Sequence, residues 1–202
     1  MDSDRARQII GAAHELLRDE GLEGVTIRAV LKKTGLARRA FYECFAGKDD
    51  LMLAVFEHTI KLATETYAEQ LKAVPDPMER LRHIVISIGL GTSMADGPGG
   101  AYNRRGAAMS REHIRLAESR PDDLQAALSP LLALIARQLS DGMEAGTVRA
   151  GAPQRLATLV YNLVATTVHT ELLAEERVQA DPARRAELAA DIWDFCRRAI
   201  MA

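Results

Sequence analysis

The residues best suited to chemistry are six basic side chains between positions 26 and 48, accompanied by one acidic side chain, Glu43. The basic residues are Arg28, Lys32, Lys33, Arg38, Arg39 and Lys48. They give this segment a charge of +5 within a chain whose net charge is -2. Because contacts with phosphates dominate nucleic-acid affinity, DNA binding requires a local basic surface of this kind. On charge alone, a solvated helix face is an equal alternative.

Helical spacing indicates which of these side chains face outward. Apolar residues recur at intervals of three and four through positions 37–45, which predicts a short helix with one buried face. The residues of that face are Ala37, Ala40, Phe41, Cys44 and Phe45. The opposite face presents Arg38, Arg39, Tyr42 and Glu43. A short helix with such a face, joined by a glycine-containing turn to another short helix, is typical of a helix-turn-helix motif.

The rest of the chain predicts helices around this motif. Strand signals are nearly absent and aromatic residues make up only 4% of the chain, so we predict an all-α fold. Thr26 is placed to cap the second helix, and Gly21 to end the first. The predicted helices cover about residues 4–20, 27–33, 37–45, 48–73, 78–94, 102–119 (as one helix or two), 121–144, 152–177 and 182–200.

The stretch from Val25 to Leu51 resembles the DNA-binding signature of the TetR family of transcriptional regulators. The matching features are Thr26, Gly35, Tyr42, Phe45 and the helix start at Lys48–Leu51, and the resemblance extends over about residues 4–64. It implies a helix-turn-helix DNA-binding domain over residues 1–47 and a helical effector-binding and dimerisation domain over residues 48–202.

The resemblance also implies roles for individual residues. Thr26 and Lys48 are expected to touch phosphates, Tyr42 to reach the DNA backbone, and Arg38 and Arg39 to face base edges. The complete predicted DNA-binding set is Thr26, Arg28, Arg38, Arg39, Tyr42, Glu43 and Lys48. The chain departs from the family pattern at Ala37, where a capping serine or asparagine is usual.

A second set of residues is predicted to line an effector site. Gly89 and Gly91 interrupt an apolar helix, which indicates either close helix packing or room for a ligand. The candidates are Phe56, Ile60, Ala63, Tyr67, Ile84, Ile88, Met94, Tyr102, Met109, His113 and Leu116. None is Lys, Arg, Asp or Glu, so we expect a small, largely apolar effector and no cofactor. Plain core is the alternative interpretation of these positions.

The last two helices are predicted to form a homodimer interface. Each carries apolar residues at intervals of three and four, and the first of the two is apolar on more than one side, so it needs more than one partner. The predicted interface residues are Leu159, Leu163, Thr166, Thr170, Leu173, Leu188, Ile192 and Phe195.

Two other classes of protein are alternatives to a DNA-binding regulator. The sequence gives little support for an enzyme. The zinc-protease pattern that begins at His14 has Arg18 where a second histidine is required, and the nucleophile-elbow pattern that begins at Gly91 has Ala95 where a glycine is required. No catalytic or metal-binding residues are therefore predicted. A helical adaptor that binds neither DNA nor a ligand is the other alternative, and the basic segment argues against it.

The predicted setting and partners follow from these features. Two cysteines without motif spacing, and the lack of a recognisable targeting or membrane-spanning segment, predict a cytoplasmic chain without a membrane partner. The predicted partners are a palindromic double-stranded operator, a small-molecule effector and a second copy of the chain. Family habit favours repression.

Overall fold

The chain is helical, as predicted. A computed structural model describes residues 4–90, 101–175 and 181–202. Within these ranges the only strand-like feature is one isolated bridge, between Val148 and Met201. The described residues form α1 (Asp4–Gly24), α2 (Ile27–Thr34), α3 (Arg38–Tyr42), α4 (Lys48–Leu71), α5 (Pro77–Leu90), α6 (Ala101–Ser119), α7 (Pro121–Glu144), α8 (Pro153–Glu175) and α9 (Pro182–Ile200).

Capping residues set the ends of the first helices. The Thr26 hydroxyl accepts a hydrogen bond from the Ala29 amide at 3.1 Å, which confirms the predicted N-cap of α2. Gly35 ends α2 in the left-handed region, with φ of 69°, where glycine carries no steric penalty. Gly21 also has a positive φ, 74°, and interrupts the regular helix where its end was predicted. Helical structure nevertheless resumes as far as Gly24, so α1 extends beyond the prediction.

The third helix is shorter than its sequence pattern predicts. It covers five residues, Arg38–Tyr42, instead of residues 37–45. Ala37 has an extended backbone and makes no side-chain capping bond, so the helix starts one residue later. The prediction that Ala37 lies on the buried face is wrong, because its side chain is exposed. After Tyr42 the chain turns, and the amides of Cys44 and Phe45 both donate to the Phe41 carbonyl.

The chain divides into two compact units. One comprises Met1–Ile60 with Pro98–Ala127, and the other comprises Lys61–Gly97 with Leu128–Ala202. In the first unit α1 packs against α2, α3 and α6. Its core contains Ile9, Ala12, Ala13, Leu16, Leu17, Val25, Val30, Phe41, Phe45, Leu51, Met52, Val55 and Ala108. The functional division predicted after residue 47 remains a prediction.

In the second unit α5 packs against α8 and α9, and α8 packs against α9. A Cβ atom built on Gly89 would lie 3.0 Å from the Cβ of Ala189 on α9. Gly89 therefore permits a close approach of α5 and α9. Of the two alternatives for this glycine, the structure supports close helix packing and not room for a ligand. Gly91 and the predicted end of the fifth helix lie outside the described residues.

Candidate nucleic-acid interface

Two phenylalanines anchor α3 in the first unit. Phe41 and Phe45 are buried in its core, with ring centroids 5.7 Å apart. Burial of this face leaves Arg38, Arg39 and Tyr42 exposed on the opposite side of the helix, as the spacing predicts. The predicted Glu43 is also exposed, one residue beyond the end of α3. A continuous polar surface therefore lies along a helix that its aromatic side chains hold in place.

Arg38 and Tyr42 form a pair on this surface. An Nη atom of Arg38 donates to the Tyr42 hydroxyl at 3.3 Å, and the Arg38 guanidinium carbon lies 5.6 Å from the Tyr42 ring centroid. The Tyr42 ring also meets Phe41 edge-on, with centroids 5.3 Å apart. The ring contact with Phe41 orients Tyr42, and the contacts with Tyr42 orient Arg38, so both side chains have partners within the protein in the absence of DNA.

Glu43 joins α3 to the start of α1. One carboxylate oxygen accepts from Nε of Arg39 at 3.0 Å, and the other accepts from a terminal nitrogen of Arg5 at 3.1 Å. Arg5 was not predicted as a site residue. The sequence does indicate that Arg5 lies near the other helices. It stands four residues before the buried Ile9, so it shares the face of α1 that packs against those helices.

The remaining predicted DNA-binding residues lie at helix starts. Thr26 caps α2, Arg28 is in the first turn of α2, and Lys48 begins α4. All three are exposed. Free backbone amides at helix starts favour anions, so each position suits a phosphate.

Ion pairs fix the start of α4. One carboxylate oxygen of Asp50 accepts from the Ala46 amide at 3.1 Å, and the other accepts from Arg120 at 3.0 Å. Arg115 of α6 pairs with the buried Glu112 at 2.6 Å and approaches Asp49 at 3.8 Å. These contacts hold the turn between α3 and α4 and the helix start that carries Lys48. The contacts of Arg115 with Asp49 and of Arg120 with Asp50 join positions about 65 to 70 residues apart, so no local pattern could have predicted those two.

The predicted effector-site residues fall in both compact units. In the first unit Phe56 and Leu116 are buried, and Ile60, Met109 and His113 are half-buried. In the second unit Tyr67 and Ile84 are buried, and Ala63 and Ile88 are half-buried. Met94 and the side chain of Tyr102 lie outside the described residues.

The structure brings two of these candidates together in the first unit. The rings of Phe56 and His113 meet edge-on, with centroids 6.1 Å apart. Burial lowers the pKa of His113 below its usual value, so the imidazole is neutral near pH 7. A half-buried neutral histidine beside a phenylalanine suits a ligand that is mostly apolar.

The predicted dimer residues occupy the α8 and α9 faces of the second unit. On α8 the side chain of Leu159 is 58% exposed, Thr166 and Thr170 are exposed, and Leu163 is half-buried. On α9 Phe195 is 65% exposed and Leu188 is half-buried. Ile192 is only 6% exposed, so its side chain belongs to the core of its own unit. The side chain of Leu173 lies outside the described residues.

The described ranges contain neither a metal-binding cluster nor a helix that could span a membrane. Within residues 4–90, 101–175 and 181–202, no three His, Cys, Asp or Glu side chains lie together in a way that could hold a metal ion. None of the helices in those ranges combines the length and apolar character that crossing a bilayer requires.

Part of the chain is similar in sequence to bacterial regulatory proteins. Residues 9–55 match the family model described as bacterial regulatory proteins, tetR family. Over 82 residues, the chain is 27% identical to the HTH-type transcriptional regulator HbdR of Aromatoleum sp. (strain CIB). This match covers 41% of the chain and 36% of HbdR, so it spans about a third of that relative's length.

Two longer matches extend over most of the chain. The fatty acid metabolism regulator protein of Bacillus subtilis (strain 168) is 22% identical over 171 residues, which are 84% of each protein. The crystal structure of the transcriptional regulator FadR from Bacillus subtilis in complex with stearoyl-CoA superposes with a TM-score of 0.70 at 17% identity. That superposition covers 94% of this chain and 96% of the other, and at this identity it shows a shared fold.

Proposed function

We propose that the chain, which belongs to the TetR family of bacterial transcriptional regulators, acts in the cytoplasm as a dimeric repressor. In this proposal it binds a palindromic operator and is released by a small, largely apolar effector. The observation that carries the proposal is the surface of α3, where Arg38, Arg39 and Tyr42 are exposed while Phe41, and Phe45 just beyond the helix, are buried. Cys44 and Cys196 form no disulfide, which suits a reducing compartment.

The dimensions of α3 suit the major groove of DNA. That groove is about 12 Å wide and admits a single helix. Arg38 and Arg39 are exposed on one face of α3, and arginine pairs bidentately with O6 and N7 of guanine. Thr26 and Lys48, at the starts of α2 and α4, would fix the register by binding phosphates.

Dimerisation would supply the selectivity that one copy lacks. A helix of five residues reads only a few base pairs, whereas two copies related by a two-fold axis read a palindrome with half-sites one helical turn or more apart. The exposed Leu159 and Phe195 support an interface on α8 and α9, because large apolar side chains on a surface favour association.

The effector is proposed to be a compound with a long apolar part. The described candidate residues are apolar or neutral, and His113 is held neutral by burial. The similar FadR structure contains stearoyl-CoA, which has a long acyl chain, so long-chain acyl compounds come first in a screen. An effector releases DNA only through its different affinities for two states of the protein, and a coupling of about 1–3 kcal/mol is typical.

The test begins with selection of bound sequences from a library of randomised DNA duplexes. Fluorescence anisotropy then compares the selected duplex with a scrambled duplex of the same composition over a range of salt concentrations. We expect a palindromic selected site and affinity that falls steeply with salt. Arg39→Ala should cost about 1–3 kcal/mol more on the selected duplex than on the scrambled one. An adaptor or an enzyme would enrich no sequence.

A further inference from the structure

Glu43 is the only acidic residue in the basic segment, and arginines occupy both of its carboxylate oxygens. We propose that Glu43 is a positioning residue that holds Arg39 ready to read a base pair and that weakens the phosphate-driven part of DNA affinity, which does not depend on sequence. This inference rests on the proposed DNA-binding function and deepens it, because it assigns the source of selectivity within the α3 surface.

The geometry of the Arg39 contact supports the positioning role. Glu43 accepts from Nε of Arg39, at 3.0 Å. The two terminal nitrogens of the Arg39 guanidinium remain available, and two donors side by side are what O6 and N7 of guanine require. The contact with Glu43 therefore fixes the guanidinium plane without using the donors that would read the base.

The exposure of Arg39 shows why positioning matters. Its side chain is 91% exposed, so little of the protein besides Glu43 restrains it. A flexible arginine loses conformational freedom when it binds in one orientation, and this loss opposes binding. An arginine that is already oriented loses less, so its contact with the correct base pair is stronger.

The charge of Glu43 supports the second part of the inference. Non-specific binding comes almost entirely from attraction between basic side chains and phosphates. A carboxylate on the surface that approaches DNA repels those phosphates and offsets the charge of Arg39. Arg5 binds the second oxygen at 3.1 Å, so the three charged groups together carry a net charge of +1. The two arginines compensate the negative charge of Glu43 near DNA. Glu43 in turn makes this surface less positive than the two arginines alone would make it.

A different role for Glu43 would be to read a base itself, since a carboxylate can accept from the amino group of cytosine. The two roles predict different changes in sequence preference. A positioning residue relaxes the preference at the base pair that Arg39 reads. A reading residue relaxes the preference at another base pair, and its effect adds to that of Arg39→Ala.

The experiment uses the full-length protein, the duplex selected by the unmodified chain and a scrambled duplex. The variants are Glu43→Gln, Arg39→Ala and the double variant, with Glu15→Gln as the matched control. Glu15 pairs with Lys33 at 2.9 Å in the same compact unit, so its substitution changes the net charge equally without touching Arg39. Anisotropy gives the two dissociation constants of each variant, and single-base-pair changes in the selected duplex locate the preference that is lost.

We expect Glu43→Gln to tighten binding to the scrambled duplex and to reduce the ratio of specific to non-specific affinity about tenfold. The base pair at which Glu43→Gln loses sequence preference should be the one at which Arg39→Ala loses it. The double variant should therefore be no less selective than Arg39→Ala alone. Glu15→Gln should leave the ratio unchanged. Glu43→Asp keeps the charge on a shorter side chain, so it should reduce the ratio without tightening non-specific binding.

Three results would overturn the inference while leaving the proposed function intact. They are an unchanged ratio for Glu43→Gln, a lost preference at a base pair that Arg39 does not read, or an equal change in ratio for Glu15→Gln. If the unmodified chain selects no sequence, the proposed function itself fails, and the role of Glu43 fails with it.

Discussion

Phe195 on α9 offers the strongest test of the proposed dimer. Its side chain is 65% exposed in the single chain, and an aromatic side chain covers about 150–250 Å² when it is buried. Covering the exposed part would remove roughly 130 Å² from water, which at about 25 cal/mol per Å² contributes about 3 kcal/mol. A two-fold dimer contains the contact twice, so Phe195→Ala should cost about 6 kcal/mol and raise the dimer dissociation constant about 10⁴-fold.

Sedimentation velocity over a range of micromolar concentrations measures this change. We expect a dimer for the unmodified chain and monomers for Phe195→Ala, with binding to the selected duplex lost in parallel. The free energy of unfolding of the monomer should change little, because the side chain is mostly exposed there. Leu62→Ala is the matched control, since Leu62 is 41% exposed in the same compact unit but lies on α4. A Phe195→Ala protein that remains dimeric at the same concentration would refute the interface.

Three further predictions concern the DNA-binding unit. Lys48→Ala should weaken binding to the selected and the scrambled duplex alike. Anisotropy should show that the slope of log affinity against log salt becomes shallower by about 0.9 per lost phosphate contact, or by about two for a dimer. A loss of affinity confined to the selected duplex would contradict a phosphate contact. Thr26→Ala should lower the free energy of unfolding by about 1 kcal/mol in urea titrations because the Ala29 amide loses its cap, whereas Thr26→Ser should retain it. Burial lowers the pKa of His113 in the folded chain, so the contribution of this residue to stability is complete above about pH 6.5 and falls at lower pH as the unfolded chain takes up the proton. His113→Gln should therefore lose less stability than the unmodified chain between about pH 7 and about pH 5. Identical profiles of stability against pH for the two proteins would contradict this assignment.

Local features of the fold were predictable because their causes lie close together in the sequence. The cap at Thr26 and the glycine at Gly35 each act within four residues of their partners. The outward face of α3 follows from the spacing of Phe41 and Phe45, which are buried as predicted. The same reasoning overestimated the length of α3, because apolar spacing continues through residues 44–45 although the backbone has already turned.

Long-range features could not be predicted in the same way. The contact between Arg5 and Glu43 and that between Arg120 and Asp50 join residues far apart in sequence, and only the tertiary packing of the first unit brings them together. Ile192 illustrates a related limit of periodicity. An apolar stripe shows which face of α9 is covered but not what covers it, and at Ile192 the cover is the chain's own core.

The most direct test of base reading by α3 is chemical protection of the selected duplex with dimethyl sulfate, which methylates guanine N7 in the major groove and adenine N3 in the minor groove. We predict protected guanines in two symmetric clusters, one helical turn or more apart, and loss of protection at one guanine per half-site in Arg39→Ala. Protection confined to adenines of the minor groove, or a pattern unchanged by Arg39→Ala, would contradict the account.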